Sequence, residues 1–253
     1  MKLPKIVFLD RDGTINEEVN YLHKPEDFRF VPGVPAALRR LHEAGYLLVV
    51  ITNQAGIARG YYSEADCEAL NRYMAEMLAA QGAGLTAAYY CPHHPVHGIG
   101  KYRRECSCRK PKDGLFLQCL ADMLFAGEPV EFVRNDIAPG IIAPGSAEAL
   151  LTGRPERRVL QDQVDFHQSP LVLSEKELAS LRQWKAENAK DALWYMIGDK
   201  RIDTQAGHQF GIRSILVGSG YGREEKEKAV PGDYDVYFDT LGEAAEWILK
   251  QEQ

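Results

Sequence analysis

Short runs of apolar residues alternate with amphipathic stretches along most of the chain. An uninterrupted run of about four to eight apolar residues between turn signals is typical of a strand buried on both faces of a parallel sheet. Strands that alternate with helices predict an α/β protein with a doubly wound, Rossmann-like parallel sheet. The predicted strands are Ile6–Leu9, Tyr46–Ile51, Leu85–Tyr90, Leu193–Ile197, Ser214–Val217 and Val236–Phe238. Helices are predicted over about 34–44, 64–80, 113–124, 174–190 and 241–250, with a further short helix that contains Ala206 and Gly207.

Four stretches lack a clear helix or strand pattern and are predicted to be irregular. Three are loops: 55–62, 91–111 and the charged run 223–228, which is expected to be a solvated surface loop. The fourth, about 125–173, contains several Pro and Gly residues and short apolar fragments. We interpret it as an insertion in a single domain that spans residues 1–253. It is compatible with a small hairpin-containing unit, a lid, a subunit interface or a plain surface excursion.

The composition is that of an ordinary globular protein, with 45% apolar and 26% charged residues among 253 positions. A net charge of −6 gives no basis for nucleic-acid or membrane-surface binding. There is also no window of about 20 apolar residues that would predict a membrane span. The apolar run near the N-terminus is too short for a signal sequence, so the expected location is the cytoplasm.

Polar side chains cluster where the predicted strands end. Asp is costly to bury without a partner, and the carboxyl ends of parallel strands meet at one edge of a sheet, where ligands bind. Three carboxylates at such an edge favour a hard cation such as Mg²⁺, and a nearby cationic group and hydroxyl make a site for a phosphoryl group. One Asp can then attack phosphorus while a second acts as acid and base. The residues concerned are Asp10, Asp12, Thr52, Asn53, Arg109, Lys110, Asp199 and Asp203.

Five cysteines, an odd number, do not indicate a disulfide framework in a chain of this length. Three of them lie in the loop 91–108, where a Cys-x-His pair is followed, after twelve residues, by Cys-x-Cys. One His and three Cys make a closed tetrahedral set for a structural Zn²⁺, which would order a loop that has no core of its own. The competing interpretation is a chance cluster of reduced surface thiols. The candidate ligands are Cys91, His93, Cys106 and Cys108, with His94 or His97 as alternatives to His93.

The polar groups, in their order along the chain, resemble the four motifs of the haloacid dehalogenase superfamily of phosphatases. The resemblance implies a doubly wound fold and a reaction in which one Asp carries the phosphoryl group as an aspartyl-phosphate. The segments that carry it are D-R-D-G-T at 10–14, T-N-Q at 52–54, K-P at 110–111 and G-D-K-R-I-D at 198–203.

This resemblance implies a role for each matching residue. Asp10 would be the nucleophile, and Asp12 would be the general acid and base. The other roles concern phosphate and metal. Thr52 and Lys110 would hold phosphoryl oxygens, Mg²⁺ would bind Asp10, Asp199 and the carbonyl of Asp12, and Asp203 would support the metal site.

The cysteine loop narrows the resemblance to a branch of the superfamily that has a zinc-binding loop and includes heptose bisphosphate and histidinol-phosphate phosphatases. The segments 5–120 and 192–250 are more similar to the heptose bisphosphate enzymes, whereas the insertion departs from the pattern of the branch. The resemblance implies a Mg²⁺-dependent phosphatase acting on a small phosphorylated metabolite, a sugar bisphosphate, with Asn53, Arg59 and Arg109 in contact with it. A histidinol-phosphate phosphatase and a non-catalytic phosphate-binding module are the alternatives. We expect a monomer, with an oligomer through the insertion as the other option.

Overall fold

The computed structural model describes residues 3–124, 167–171 and 173–251. Seven strands pair in parallel to form one sheet. They are β1 (Lys5–Leu9), β2 (Tyr46–Asn53), β3 (Ala87–Cys91), β4 (His167–Ser169), β5 (Trp194–Gly198), β6 (Arg213–Val217) and β7 (Val236–Phe238). Their order in the sheet is β4-β3-β2-β1-β5-β6-β7.

Helices cover both faces of this sheet. They are α1 (Val34–Glu43), α2 (Ala55–Ala58), α3 (Glu64–Ala79), α4 (Gly114–Leu124), α5 (Glu175–Asn188), α6 (Arg201–Phe210), α7 (Gly222–Lys228) and α8 (Leu241–Lys250). Helices α4, α5 and α6 pack in one apolar layer, and α1, α3 and α8 pack in the other. The predicted doubly wound α/β fold is therefore confirmed.

Strand β1 shows why the predicted strands are continuous apolar runs. Successive side chains of a strand point to opposite faces of the sheet. Ile6 and Phe8 accordingly pack in the layer of α4 and α6, whereas Val7 and Leu9 pack in the layer of α1 and α8. All four are fully buried, so no position of the run can be polar without losing apolar burial.

Helices α3 and α5, predicted over 64–80 and 174–190, each begin at a serine that forms a capping box. The Ser63 hydroxyl accepts from the Asp66 amide, and the Asp66 carboxylate accepts from the Ser63 amide. Ser174 and Glu177 exchange the same pair of hydrogen bonds at the start of α5. These reciprocal bonds satisfy backbone donors that the first turn of a helix leaves unpaired.

Two predictions of loop structure are wrong. Ala55–Ala58 forms the short helix α2, and the charged run ends the helix Gly222–Lys228. The latter has no apolar periodicity because it lies on the surface, where Glu224 and Lys228 form an i,i+4 pair. His167–Ser169 pairs with β3, although three residues are too few to show a strand period. The rest of the predicted insertion, residues 125–166 and Val172, lies outside the described residues.

Within the described ranges, every helix is too short or too polar to cross a bilayer.

Candidate active site and metal cluster

The carboxyl ends of β1, β2 and β5 bring the predicted polar residues to one edge of the sheet. In the parallel register, Leu9 pairs with both Val50 and Ile197. The chain order reverses between β1 and β5, and open α/β sheets bind their ligands at such a switch point. The loops that follow these strands enclose a cleft of about 350 Å³. Its lining includes Asp10, Asp12, Thr52, Asn53, Gln54, Lys110 and Lys200.

Three buried carboxylates meet at the base of this cleft. Oxygen atoms of Asp10, Asp199 and Asp203 all lie within 4.8 Å of one another. Burial, together with the charges of Asp203 and Asp10, raises the pKa of Asp199 to about 8. Burial and the charge of Asp10 raise the pKa of Asp203 to about 6. The cluster therefore carries more negative charge than its surroundings neutralise, which is the condition for binding a cation.

Lys110 supplies part of the missing positive charge. Its Nζ lies 2.8 Å from Asp10 Oδ1 and 2.7 Å from Asp203 Oδ1, and it donates to the carbonyl of Ile51 at 2.8 Å. Burial lowers the pKa of Lys110, but the two carboxylates outweigh burial and raise it above its ordinary value. Asn53 holds the Lys110 backbone, accepting from its amide and donating to its carbonyl. The ammonium is thus charged and fixed between two acids.

Asp199 has an atom that is free to bind a cation. Its Oδ2 accepts from the amide of Tyr221 at 2.9 Å, while its buried Oδ1 has no hydrogen-bond partner among the described residues. Gly13, at φ +85°, lies against the same carboxylate, and a Cβ there would come within 2.2 Å of Asp199 Oδ2. A donor set of clustered carboxylates with an unsatisfied buried oxygen fits a hard cation such as Mg²⁺.

Asp12 is held differently from the three clustered acids. Arg11 donates to both of its oxygens, from Nε at 3.1 Å and from a terminal nitrogen at 3.0 Å. Gln54 and Asn16 add further hydrogen bonds at 2.9 and 3.1 Å. Burial raises the pKa of Asp12, but the charge and hydrogen bonds of Arg11 outweigh it and leave the pKa below its usual range. Asp12 therefore has an environment distinct from that of Asp10, two residues away.

The structure brings most of the sequence-predicted site residues together, with two exceptions. Thr52, 1% exposed, lies at the cleft, and its hydroxyl accepts from Gln54 Nε2 at 2.9 Å. Neither Arg59 nor Arg109 lines the cleft. The Arg59 guanidinium lies 6.0 Å from the ring of Tyr21, which does line it, and Arg109 donates to the carbonyl of His93.

Four further residues at the site have no catalytic or binding role in the sequence motifs. They are Arg11, Gln54, Glu18 and Lys200. Arg11 is fully buried, and Lys200 Nζ pairs with Glu18 at 2.8 Å across the cleft. The sequence does indicate two of them, because Arg11 and Gln54 are polar residues directly beside motif residues at strand ends. What the sequence does not provide is the partner of each side chain.

The four predicted zinc ligands form one compact cluster. Cys91 Sγ lies 3.2 Å from Cys108 Sγ and 3.7 Å from Cys106 Sγ, and His93 Nδ1 lies 3.3 Å from Cys108 Sγ. Two sulfurs bound to one tetrahedral zinc at about 2.3 Å are about 3.8 Å apart, whereas disulfide sulfurs are about 2.05 Å apart. The cysteines are free, so the spacing fits a shared metal rather than a disulfide.

His93, rather than His94 or His97, is the histidine of this cluster, because its ring nitrogen lies with the three sulfurs. His94 Nδ1 accepts from the amides of Val96 and His97, at 3.1 and 2.9 Å. The thiols of Cys106 and Cys91, together with burial, raise the pKa of Cys108 far above that of a free thiol. A bound cation reverses this direction because it stabilises thiolates. The four ligands therefore fit a closed Zn²⁺ site with no open position.

Comparison with known proteins places these sites in a family. A family model described as polynucleotide kinase 3 phosphatase matches residues 5–132, and one described as HAD-hydrolase-like matches residues 175–244. The D-glycero-beta-D-manno-heptose-1,7-bisphosphate 7-phosphatase of Haemophilus influenzae is 43% identical over 159 residues, which cover 60% of this chain and 84% of the relative. The protein of the same name from Escherichia coli K12 is 39% identical over 156 residues, or 59% of this chain and 80% of the relative.

A solved structure supports the same assignment at the level of the fold. The D,D-heptose 1,7-bisphosphate phosphatase from B. bronchiseptica, complexed with magnesium and phosphate, superposes with a TM-score of 0.62 at 24% identity. The superposition covers 98% of this chain and 99% of that one. The resemblance that the four sequence motifs indicated is confirmed. The chain belongs to the haloacid dehalogenase-like family of phosphatases, which are phosphoric monoester hydrolases.

Proposed function

We propose that this chain is a Mg²⁺-dependent phosphatase that hydrolyses one phosphate ester of a sugar bisphosphate, D-glycero-D-manno-heptose 1,7-bisphosphate. The observation that carries the proposal is the buried cluster of Asp10, Asp199 and Asp203, two of which pair with the ammonium of Lys110 beside a cleft. The names of the relatives in Haemophilus influenzae and Escherichia coli support the choice of sugar.

Asp10 is the nucleophile in this proposal, and Asp12 moves the proton. Lys110 Nζ and the Arg11 amide both hold Asp10 Oδ1, at 2.8 and 2.7 Å, so the carboxylate faces the cleft in a fixed orientation. A carboxylate oxygen of Asp10 attacks phosphorus, the bond from phosphorus to the sugar oxygen breaks, and Asp12, in its protonated form, gives that oxygen its proton. Asp12 then takes a proton from a water molecule, which attacks the aspartyl-phosphate and releases phosphate and free Asp10.

Other groups at the cleft base would bind the charge of the phosphoryl group. The Thr52 hydroxyl accepts one hydrogen bond from Gln54 and retains its own proton to donate. Lys110 would hold a phosphoryl oxygen by its positive charge, with one of the contacts that its ammonium makes to Asp10, Asp203 and the Ile51 carbonyl exchanged for the phosphate. Mg²⁺, held by Asp10, Asp199 and the carbonyl of Asp12, would supply positive charge to the phosphoryl oxygens.

Contacts to the rest of the substrate are assigned to Asn53, Arg59 and Arg109. Asn53 lines the cleft, and Arg59 lies against Tyr21, which also lines it. A guanidinium recognises a second phosphate group by paired hydrogen bonds. This assignment makes the two arginines responsible for a preference for bisphosphates over monophosphates.

We assign structural Zn²⁺ to the cluster of Cys91, His93, Cys106 and Cys108. The sulfur and nitrogen spacing described above supports a tetrahedral ion, which would order the loop beside the cleft. Ile99 of this loop donates to the carbonyl of Ala58 in α2 at 2.8 Å. Cysteines that are not paired as disulfides are typical of a reducing compartment, which supports the cytoplasm as the location.

The substrate is tested by phosphate release from both anomers of heptose 1,7-bisphosphate and from histidinol phosphate, each with added Mg²⁺. We expect kcat/KM for one heptose anomer to exceed that for histidinol phosphate by more than about tenfold. A preference for histidinol phosphate would replace the substrate assignment. Asp10→Asn should abolish release, while Asp27→Asn on the exposed surface should not change it. Full activity of the Asp10 variant would overturn the mechanism, and no turnover of any substrate would indicate a phosphate-binding module.

A further inference from the structure

We propose that Arg11 and Gln54 are positioning residues for Asp12. They hold its carboxylate at one place beside the cleft and do not themselves touch the phosphoryl group. The inference rests on the proposed role of Asp12 as general acid. It assigns functions to two side chains for which the sequence motifs indicated none.

The burial of Arg11 restricts its side chain to holding Asp12 in place. Its side chain is fully inaccessible to solvent, which is rare for an arginine. Its Nε and one terminal nitrogen grip the two oxygens of Asp12, as a guanidinium fork does with a carboxylate. The other terminal nitrogen donates to Asn71 Oδ1 at 3.1 Å, which anchors the fork to α3. Arg11 thus has no surface left for substrate.

Gln54 also hydrogen-bonds to Asp12, and its neighbours fix the orientation of its side-chain amide. Its Oε1 accepts from Arg11 at 3.0 Å and from the hydroxyl of Tyr62 at 2.6 Å. Its Nε2 donates to Asp12 Oδ2 and to the Thr52 hydroxyl, each at 2.9 Å. A guanidinium can only donate hydrogen bonds, and an ionised carboxylate can only accept them. If the amide were flipped, its nitrogen would face the donors of Arg11 and its oxygen would face the acceptor Asp12. Gln54 is therefore locked between Arg11 and Asp12.

Tyr62, which donates to Gln54 Oε1, is itself held in place. Its ring is 9% exposed and stacks on His23, with centroids 5.2 Å apart and planes 9° apart. Asp12 thus depends on a network drawn from the loop after β1, the loop after β2 and helix α3. Outside the network, its short side chain would be free to rotate away from the leaving oxygen.

The orientation of Asp12 matters only when the leaving oxygen needs a proton. A sugar alkoxide is a poor leaving group and must be protonated as the phosphorus–oxygen bond breaks. A nitrophenolate is a stable anion and leaves without a proton. Loss of positioning should therefore slow hydrolysis of the sugar phosphate and leave an aryl phosphate largely unaffected. A general loosening of the site would slow both.

The test compares kcat/KM for heptose 1,7-bisphosphate and p-nitrophenyl phosphate, because kcat/KM reports the steps up to the first irreversible one. We expect Arg11→Lys, which keeps the charge and loses the fork, to lower the value for the sugar phosphate about 10- to 100-fold and that for the aryl phosphate less than about 3-fold. Gln54→Leu also frees the Thr52 hydroxyl, so it should lower both values, with the larger loss on the sugar phosphate. Tyr62→Phe removes one hydroxyl and should give a smaller loss of the same kind as Arg11→Lys.

Tyr90→Phe is the matched control for Tyr62→Phe. Tyr90 is 1% exposed, compared with 9% for Tyr62, and its hydroxyl donates to Glu68 at 2.6 Å, outside the Asp12 network, so both substrates should be unaffected. Equal losses on both substrates, or no loss in any folded variant, would overturn the positioning role. Tyr62→Phe keeps the test decisive if the Arg11 or Gln54 variants do not fold. If wild type rejects heptose bisphosphate, the substrate proposal fails, and the comparison proceeds with an alkyl phosphate that it does hydrolyse.

Discussion

The ammonium of Lys110 lies 2.8 Å from the carboxylate of Asp10, and both side chains are buried. Asp203 holds the same ammonium at 2.7 Å from the other side. We expect Lys110→Met to destabilise the metal-free protein by about 3–5 kcal/mol, because it leaves two buried carboxylates without their cation. It should also reduce kcat by at least about a hundredfold. Urea unfolding in the presence of a chelator and phosphate release with Mg²⁺ measure the two effects.

Lys112→Met is the control for that variant. Lys112 Nζ pairs with Glu105 at 3.2 Å, but the two side chains are 45% and 77% exposed. Such a surface pair contributes little, so the unfolding free energy should change by less than about 0.5 kcal/mol. Similar losses in the two variants would contradict the idea that the buried cluster needs the Lys110 charge.

The raised pKa of Asp199 predicts how pH and Mg²⁺ act together. A carboxyl whose pKa rises on folding contributes stability that is present below its unfolded pKa and is lost as pH rises through the folded value. For Asp199 in the metal-free protein, this window extends from about 4 to about 8. Mg²⁺ binds the ionised form, so the stabilisation it provides should be larger at about pH 8.5 than at about pH 5.5. Thermal unfolding with and without about 10 mM Mg²⁺ measures the difference, expected to reach about 1–3 kcal/mol.

Asp199→Asn checks the origin of that effect. The amide carries no charge, so the variant should lose the pH-dependent response to Mg²⁺. It should also be relatively more stable than wild type at high pH in the absence of metal, because one buried negative charge is gone. A response to Mg²⁺ equal to that of wild type at both pH values would place the ion elsewhere.

The sequence predicts the acids of the site well because they follow strands. Asp10 comes directly after β1 and Asp199 directly after β5, and parallel pairing of these strands brings the two residues together without further information. Lys110 does not follow a strand. The sequence places it at the end of the loop 91–111, and the structure adds that Asn53 ties its backbone to the end of β2. The amide of Asn53, expected to contact substrate, thus also holds the backbone of Lys110.

Contacts that depend on the relative placement of separate elements could not be predicted. Arg11 precedes Asp12 in the sequence, but its burial depends on Asn71 in α3, sixty residues away. Strand β4 pairs with β3 through three residues, and so short a segment carries no measurable period. Helix α7 carries a run of charges because it packs few side chains. Each of these features is set by tertiary packing rather than by local sequence.

Removing one zinc ligand should release the metal without removing the fold. We expect about one equivalent of zinc in wild type purified without added metal, and much less in Cys106→Ser, because a hydroxyl is a far poorer zinc ligand than a thiolate. Elemental analysis measures the content. Cys119→Ser is the control, since Cys119 lies in α4, is buried in the core away from the zinc ligands, and its loss should not change the zinc content. A wild-type protein without zinc would refute the structural site.

The ion pair of Arg182 and Asp113 should contribute to the unfolding free energy by fixing helix α5. Two nitrogens of Arg182 bind the two oxygens of Asp113, at 2.8 and 2.6 Å, and tie α5 to the residue that precedes α4. Asp113 is buried, whereas the Arg182 side chain is 40% exposed. Arg182→Ala should therefore cost about 1–3 kcal/mol of unfolding free energy, less than a fully buried pair but more than a surface one.

Urea unfolding measures this cost, and Arg39→Ala provides the comparison, because Arg39 pairs with Glu43 at 3.7 Å on the exposed surface of α1. That variant should change stability by less than about 0.5 kcal/mol. Asp113→Asn combined with Arg182→Ala should lose less than the sum of the two single variants, since each removes the same interaction. Additive losses would show that Arg182 stabilises α5 through other contacts. A double variant that keeps its kcat would show that the pair holds the fold and has no part in catalysis.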